Sequence, residues 1–301
     1  MKALITGING FVGPYLKEHL LRNNIEVVGM DISDGEDVDF VVNLCDFDSV
    51  NNLIVKTNPD FVFHLAAQSS VKLSFEKPDL TMEVNVNGTK NLLDSIKEHA
   101  PDSKILIVGS ADVYGVPGEN PLIESSNLNP VSPYGKSRVE QEKLALSYGL
   151  NLVISRSFTH TGPGQTPIFV CSDFAKQIAE IEGGKENVIS VGNIDVRRDF
   201  TDVRDIVKAY LIVLGKCDFN EVYNICSGKN YSIKQILDIL LSFTDTNVEV
   251  VVDNKKLRKA DIINLEGDNS KFVKVTGWKP EISIEQTLKD LLDYWRNALV
   301  K

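Results

Sequence analysis

The sequence contains few of the residues from which metal centres and disulfide frameworks are built. Only 4 cysteines and 4 histidines occur among its 301 residues. No two cysteines stand at the spacing of a metal-ligand or redox motif, so we expect no metal site. We predict that the cysteines are buried free thiols, namely Cys45, Cys171, Cys217 and Cys226.

Long apolar runs and an excess of positive charge are also missing. No apolar segment reaches the roughly 20 residues that cross a bilayer. The formal net charge is -10, and a field of that sign repels nucleic acids and anionic membrane surfaces, so we expect neither as a partner. The N-terminal MKALITG leads directly into a predicted strand, which leaves no room for a signal peptide and makes the cytoplasm the default location.

The first half of the chain alternates short apolar segments with longer amphipathic ones. Such alternation predicts an α/β fold, a Rossmann-type doubly wound parallel sheet with helices on both faces. The predicted strands are 2–6, 26–30, 60–66, 104–110 and 151–157. The predicted helices are 11–24, 48–57, 81–100 and 133–149, the last with Gly149 as its C-cap.

After residue 157 the alternation loosens, which indicates a smaller mixed α/β lobe. Helices are predicted at 172–183, 203–215, 231–243 and 284–299. We expect residues 1–157 to form a dinucleotide-binding domain and 158–301 to form mainly a substrate-binding lobe, with segments such as 196–215 returning to the first domain. A lobe at the carboxyl ends of the strands would create a cleft between cofactor and substrate.

The motif TGINGFVG follows the first predicted strand and opens a helix. Its glycines permit a tight turn and bring the backbone close to a pyrophosphate, which then lies at the positive helix N-terminus. The motif therefore predicts dinucleotide binding. The predicted contacts in this loop are Gly7, Asn9, Gly10, Phe11, Val12 and Gly13.

Further cofactor contacts are predicted at later strand ends. Asp31 ends the second strand, where a carboxylate accepts hydrogen bonds from the adenosine ribose; this favours NAD(H), although NADP(H) is possible and Asp31 could instead form a turn. Asp46 and Phe47, after a third strand, could frame the adenine. Small residues after the next strand would let the cofactor lie close, at Leu65, Ala66 and Ala67.

The stretch SPYGKSR holds the candidate catalytic residues. Tyr134 at a helix start and Ser110 at the end of a strand can converge on one carbonyl, with Ser110 bonding the oxygen and Tyr134 transferring the proton. A tyrosine titrates near ~10 and needs a nearby cation to act. Arg138 lies one helical turn later on the same face, whereas Lys136 points elsewhere. Tyr134 and Arg138 are predicted to contact the cofactor as well.

These motifs, together with HLAAQSSV, NVNGT and SPYG, resemble the extended short-chain dehydrogenase/reductases that act on nucleotide sugars. The resemblance runs nearly end to end. HTGPGQ, VGNIDVRRDFTDVRDIVKAY, VYNICSG and TGWKPEISIEQTLKDLLDYW are similar to one branch. That branch comprises the GDP-4-keto-6-deoxy-mannose reductases, which make GDP-rhamnose, and the related GDP-mannose 4,6-dehydratases.

The resemblance implies roles for individual positions. It places the catalytic hydroxyl at Ser110, the acid at Tyr134 and the family's lysine at the position of Arg138. It implies contacts to a GDP-sugar from Arg198 and Arg258, although each could instead form an ordinary ion pair. It also implies a homodimer through helices 81–100 and 133–149. The family usually has asparagine where this chain has Thr159, which is not assigned to the site.

We interpret the chain as a reductase of the 4-keto group of a GDP-6-deoxy-hexulose. A 4,6-dehydratase or a 4-epimerase is the alternative within the fold. A dehydratase needs a further carboxylate, and Asp112 stands where dehydratases usually carry glutamate, although it is also a candidate loop or cap residue. Because arginine replaces the lysine, a non-catalytic dinucleotide or nucleotide-sugar binding protein is the alternative from another class.

Overall fold

The computed structural model describes residues 1–256 and 262–300. Its strands are β1 (Lys2–Thr6), β2 (Glu26–Asp31), β3 (Phe40–Val41), β4 (Phe61–His64), β5 (Lys104–Val108), β6 (Leu152–Ser157), β7 (Thr159–Thr161), β8 (Val188–Val191), β9 (Arg197–Asp202), β10 (Glu221–Ile225), β11 (Asn230–Ser232), β12 (Glu249–Val252) and β13 (Asn264–Leu265). Its helices are α1 (Gly13–Arg22), α2 (Phe47–Thr57), α3 (Val71–Glu76), α4 (Pro78–Met82), α5 (Gly88–His99), α6 (Pro133–Leu146), α7 (Val170–Glu182), α8 (Val203–Lys216), α9 (Ile233–Leu241), α10 (Ser270–Thr276) and α11 (Ile284–Leu299). A π-helical turn, Glu83–Asn87, joins α4 to α5, and short 3-10 helices occur at Ala111–Val113 and Asn254–Lys256.

Seven parallel strands form the main sheet in the order β3–β2–β1–β4–β5–β6–β10. The chain winds outward from β1 in one direction and from β4 in the other. The order therefore reverses between β1 and β4, which is where such sheets bind ligands beyond the carboxyl ends of their strands. The predicted doubly wound parallel sheet is confirmed.

Both faces of the main sheet are buried, because successive side chains of a strand point to opposite sides. Ala3 and Ile5 pack in one apolar cluster with residues of α1 and α8. Leu4, between them, packs in the opposite cluster with residues of α2 and α5. Near-continuous apolar strands such as ALI in β1 follow from this two-sided burial.

The C-terminal half builds a second, smaller core around β9. Strand β9 pairs with β7 and β13 in parallel and with β11 antiparallel, while β8 and β12 form a separate parallel pair. Helices α7, α9 and α11 supply the apolar cluster of this lobe. Helix α8 packs on the main sheet and β10 forms its edge, so residues 203–225 lie in the first half of the fold. The domain boundary at residue 157 stays a prediction.

Several predicted element ends differ from the structure. The strands predicted at 60–66 and 104–110 end earlier, at His64 and Val108. Strand β3 has only two residues, which are too few to show the alternation of apolar and polar residues that marks a strand. The prediction of Gly149 as a C-cap is wrong: α6 ends at Leu146 with Ser147 as its cap. Gly149 instead takes a φ of 65° in the following turn, a conformation that glycine adopts without strain.

The helix predicted at 81–100 begins three residues earlier and contains the π-helical turn. That wider turn brings Asn85 to the inside. Its amide exchanges hydrogen bonds with the backbone of Gln68 (2.8 and 3.1 Å) and donates to Ser137 Oγ (2.9 Å). The turn thus ties the segment after β4 to α6.

All four cysteines are free thiols, but the prediction that all are buried is wrong for Cys45. Cys45 is half-buried because it lies in the turn between β3 and α2. Within residues 1–256 and 262–300, no helix combines the length and the apolar character that a membrane crossing requires.

Candidate functional site

The glycine-rich loop lies between β1 and α1, and it has no room for a side chain at Gly7 or at Gly13. Gly7 has a φ of 77°, and a Cβ there would lie 2.8 Å from the backbone of Ala66. A Cβ at Gly13 would collide with the carbonyl of Ile8. The loop therefore leaves backbone N–H groups uncovered at the N-terminus of α1. Such a site fits the pyrophosphate of a dinucleotide.

Asp31 is the last residue of β2, beside the glycine-rich loop. Asp31 Oδ2 accepts a hydrogen bond from the Asn9 N–H (3.0 Å), and Oδ1 accepts one from the Ile32 N–H (2.8 Å). The side chain of Asn9 donates to the carbonyl of Ser33 (3.0 Å), so it fixes the loop after β2. That loop, ISDGEDVD, carries four acidic residues and no basic one. The carboxylate of Asp31 is thereby fixed at the edge of the predicted cofactor site.

A cleft of about 340 Å³ opens above the glycine-rich loop, between the two halves of the fold. Phe11 lies parallel to the ring of His160, with centroids 6.3 Å apart, and Tyr15 donates a hydrogen bond to the carbonyl of Pro163 (2.7 Å). Several residues that line this cleft were not predicted from the sequence, namely Pro14, Tyr15, Pro163, Gly164, Thr166 and Tyr294. The GPGQ segment was the available signal for two of them.

A second cleft, with a larger volume of about 530 Å³, lies along the edge strand β10. Its lining includes Glu124 and Lys271, which bond the exposed backbone of that strand: Glu124 accepts from the Asn224 N–H (2.8 Å) and Lys271 donates to the Val222 carbonyl (2.8 Å). These groups cover a sheet edge. The smaller cleft is lined by Asn9, Gly10 and Phe11 of the glycine-rich loop, so it is the one that lies beside the predicted cofactor site.

Ser110 and Tyr134 lie on two short segments that are packed together. Ser110 follows β5 by two residues and accepts a hydrogen bond from the Asp112 N–H (3.2 Å), which caps the 3-10 helix. Ser132 caps α6 by accepting from the Gly135 N–H (2.9 Å). A Cβ at Gly135 would lie 2.7 Å from the carbonyl oxygen of Asp112. Glycine at 135 therefore lets the first turn of α6, with Tyr134, rest on the segment that carries Ser110.

Arg138 lies one turn further along α6 and is only 4% exposed. Its Cζ is 5.2 Å from the centroid of the Tyr134 ring. Nη1 donates to the carbonyl of Val108 (3.2 Å) and to Gln141 Oε1 (2.7 Å). Nε is buried and has no hydrogen-bond partner among the described residues. The structure thus brings Tyr134 and a cation together, as the sequence predicts.

A buried polar chain that the sequence did not reveal continues behind Arg138. Gln141 Nε2 donates to Thr89 Oγ1 (2.7 Å), which lies 2.9 Å from His64 Nε2, and His64 Nδ1 lies 2.8 Å from Thr6 Oγ1. Burial and the charge of Arg138 lower the pKa of His64 to about 3, so its imidazole is neutral. The chain links the cation beside Tyr134 to the strand that carries the glycine-rich loop.

The other predicted cofactor contacts follow later strands of the main sheet. Leu65, Ala66 and Ala67 follow β4, with Ala66 against Gly7. Asp46 is the N-cap residue of α2 and Phe47 is its partly exposed first residue.

Two of the predicted substrate contacts lie in the C-terminal half. Arg198 is on β9, where its Nη1 donates to the carbonyls of Arg197 (2.8 Å) and Ile262 (2.6 Å). Thr159 begins β7 and is half-buried. Arg258 lies outside the described residues. The assignment of Arg198 and Arg258 to a substrate site stays a prediction, and Thr159 is not assigned to one.

Comparison with known proteins gives matches along the whole chain. The sequence profile of the GDP-mannose 4,6 dehydratase family matches residues 4–291. A GDP-6-deoxy-D-mannose reductase from Pseudomonas aeruginosa is 34% identical, over 99% of this chain and 98% of that protein. The structure of RMD from Pseudomonas aeruginosa complexed with NADPH superposes with a TM-score of 0.89, at 34% identity and over 99% of each chain. The UDP-glucose 4-epimerase of Thermus thermophilus in complex with NAD gives a TM-score of 0.88, at 27% identity, over 99% of this chain and 100% of that one.

Proposed function

The chain belongs to the GDP-mannose 4,6 dehydratase family, and from that membership we propose that it is an NAD(P)H-dependent reductase of nucleotide sugars. Its substrate is GDP-4-keto-6-deoxy-mannose and its product is GDP-rhamnose. The observation that carries the proposal is the packing of Tyr134 on the Ser110 segment, with the Arg138 guanidinium 5.2 Å from the tyrosine ring. The similarity to a GDP-6-deoxy-D-mannose reductase over nearly the full length supports the choice of substrate.

The reaction divides between the cofactor and three side chains. A bound nicotinamide dinucleotide supplies the hydride for carbon 4 of the sugar. Ser110 donates a hydrogen bond to the carbonyl oxygen, and Tyr134 transfers a proton to that oxygen as negative charge develops on it. The fixed positive charge of Arg138 stabilises the phenolate that Tyr134 becomes. Because Arg138 and Tyr134 are only 4% and 7% exposed, this electrostatic interaction is weakly screened by water.

A 4,6-dehydratase is the second candidate, favoured by the position of Asp112. Such an enzyme needs an additional carboxylate to remove the proton from carbon 5 and expel the hydroxyl of carbon 6. Asp112 is half-buried and lies two residues after Ser110, in the 3-10 helix next to Tyr134. Its side chain is one methylene shorter than the glutamate that dehydratases usually carry, which favours the reductase.

We propose NADH as the preferred cofactor form, and the charges around Asp31 support this choice. Asp31 is fixed by the backbone N–H groups of Asn9 and Ile32, and its neighbours in the loop are acidic. Lys17, a cation near this loop, forms an ion pair with Asp37. A ribose with two hydroxyls can donate to Asp31, whereas a 2′-phosphate would meet negative charge. The related RMD structure contains NADPH, and steady-state kinetics of this chain with each cofactor tests the proposed preference.

A homodimer formed through α4–α5 and α6 is the proposed assembly. The segment from α3 to α4 exposes Phe75, Leu80 and Met82, and the end of α6 exposes Leu146. Exposed apolar side chains of this size, three of them within residues 75–82, favour association. Light scattering on a size-exclusion column measures the mass directly, and a monomer at micromolar concentration would contradict the proposal.

The reductase is tested by supplying GDP-4-keto-6-deoxy-mannose with NADH or NADPH. We expect loss of the reduced-nicotinamide absorbance and formation of GDP-rhamnose, identified by NMR. A parallel incubation of GDP-mannose with NAD⁺ or NADP⁺ tests the dehydratase. Formation of the 4-keto sugar there, without reduction in the first incubation, would replace the reductase by the dehydratase. Binding of the cofactor without turnover of either sugar would support a non-catalytic binding protein.

A further inference from the structure

Gln141 is oriented by the buried polar chain behind the active site. Thr89 Oγ1 has a single proton, which it donates to the carbonyl of Asn85 (2.7 Å). It can therefore only accept from its other two neighbours, so Gln141 Nε2 and His64 Nε2 must donate to it (2.7 and 2.9 Å). With its amide nitrogen directed at Thr89, Gln141 has only its carbonyl oxygen to direct at Arg138.

That carbonyl oxygen accepts the shorter of the two hydrogen bonds from Arg138 Nη1, at 2.7 Å. The second acceptor is the carbonyl of Val108 at 3.2 Å, which belongs to the rigid end of β5. Both acceptors meet the same nitrogen, so they fix the plane of the guanidinium while its Cζ stays 5.2 Å from the Tyr134 ring centroid. Gln141 itself is fully buried and cannot exchange this contact for water.

We propose that Gln141 is a positioning residue that holds the Arg138 guanidinium against Tyr134, and that residues 138 and 141 act as a pair. This inference rests on the proposed reductase function. A lysine ammonium ends where the Cζ of arginine lies, about 1.3 Å short of Nη1. The 2.7 Å contact would then lengthen to roughly 4 Å, beyond a hydrogen bond. Gln141 therefore serves an arginine at position 138 and not a lysine.

The pairing explains how an arginine can act at the position of the family's lysine. Arginine has four rotatable side-chain bonds, and the hydrogen bond to Gln141 favours the rotamer in which the guanidinium lies 5.2 Å from the Tyr134 ring centroid. Gln141 does not touch the reacting atoms. Its effect reaches the reaction only through the location of the Arg138 charge.

A double-mutant cycle with Gln141→Leu and Arg138→Lys tests the pairing. In the chain that retains Arg138, Gln141→Leu should lower kcat about tenfold, leave the KM for the sugar within about twofold, and move the pH profile of turnover toward alkaline pH. In the Arg138→Lys chain the same change should lower kcat less than about twofold. Glu140→Ala, an exposed neighbour on α6, is the matched control and should leave kcat unchanged. Gln141→Ala provides the same comparison if leucine does not pack.

Equal losses of kcat in the two chains would overturn the proposal, because a purely structural role of Gln141 does not depend on residue 138. A loss of stability with kcat and the pH profile unmoved would overturn it as well. If the wild type reduces no 4-keto sugar, the proposed function fails, and thermal unfolding of the same variants without cofactor tests the pairing of residues 138 and 141. Gln141→Leu should then lower the midpoint of thermal unfolding about 4 °C more with Arg138 present than in the Arg138→Lys chain. An equal lowering would show that the two residues are not coupled.

Discussion

Replacing His64 by glutamine should remove much of the acid sensitivity that this buried imidazole gives to folding. His64 is buried at the end of β4, and both its ring nitrogens lie within hydrogen-bond distance of threonine hydroxyls, Thr6 and Thr89. Burial and the nearby positive charge of Arg138 lower its pKa from 6.5 to about 3. Protonation would need a second donating N–H and would place a buried charge beside an arginine, so the folded protein disfavours it.

The sign and size of the effect follow from this lowered pKa. Between pH 6.5 and about pH 3 the unfolded chain binds a proton at His64 that the folded chain does not. The contribution of His64 to stability is therefore complete above pH 6.5 and is lost as the pH falls. A pKa difference of one between the folded and unfolded chains corresponds to about 1.4 kcal/mol, so about 2 kcal/mol should disappear between pH 6.5 and about pH 4.5.

The wild type alone is an unsuitable measure, because Asp199 acts in the opposite direction. Burial raises the pKa of Asp199 from 3.8 to about 6, so its contribution to stability decreases as the pH rises through that window. The two effects partly cancel in the wild type. Asp199 is present in both proteins, however, and it cancels from the difference between wild type and the His64→Gln variant.

Urea unfolding of wild type and His64→Gln at pH values from about 4.5 to 7.5 provides the assay. The unfolding free energy of the wild type minus that of His64→Gln should fall by about 2 kcal/mol as the pH decreases from about 7 to about 4.5. Above about pH 7 it should stay constant. His64→Asn is the control: its absolute stability will differ, but its pH dependence should match that of His64→Gln. Parallel curves for wild type and both variants would refute the assignment of a neutral imidazole to His64.

Tyr134→Phe should lower turnover of the 4-keto sugar about 10²-fold or more, since it removes the proton donor; steady-state kinetics measures this. Arg138→Met should nearly abolish reduction by removing the positive charge, and wild-type turnover in that variant would place residue 138 outside the mechanism. The wild type should have a higher kcat/KM with NADH than with NADPH, and Asp31→Ala should lower the ratio of these two values about tenfold. A wild-type preference for NADPH would contradict the role of Asp31. Arg138→Lys should reduce stability while turnover stays equal or improves.

The fold could be predicted because its determinants are local. Apolar segments such as ALI in β1 are buried on both faces, and the glycines of TGINGFVG occur where the backbone has no room for a Cβ. Element ends were less predictable. The π-helical turn at Glu83–Asn87 depends on Asn85 finding partners at Gln68 and Ser137, which are distant along the chain.

Within the candidate site, residues carried by strand and helix ends could be predicted from motifs, and residues beneath them could not. Ser110 and Tyr134 follow from the strand and helix boundaries, and Arg138 follows from the helical period. Gln141 has no signal of its own, since a glutamine three residues after an arginine on a helix usually faces solvent. Its role depends on Thr89, which only the packing of α5 on α6 brings near.

The structure also separates two consequences of Arg138→Lys that the sequence treats as one. A compact ammonium suits a pair of ribose hydroxyls better than a planar guanidinium does, so turnover should stay equal or improve. The same change leaves Gln141 Oε1 buried without its donor at 2.7 Å, and it weakens the bond to the Val108 carbonyl. A buried acceptor left unpaired costs about 1–3 kcal/mol, so the midpoint of thermal unfolding should fall by about 4 °C. Turnover and unfolding measured on the same preparation distinguish the two effects. A variant that keeps its stability but loses turnover would mean that the guanidinium contributes to the reaction through its shape, in addition to its charge.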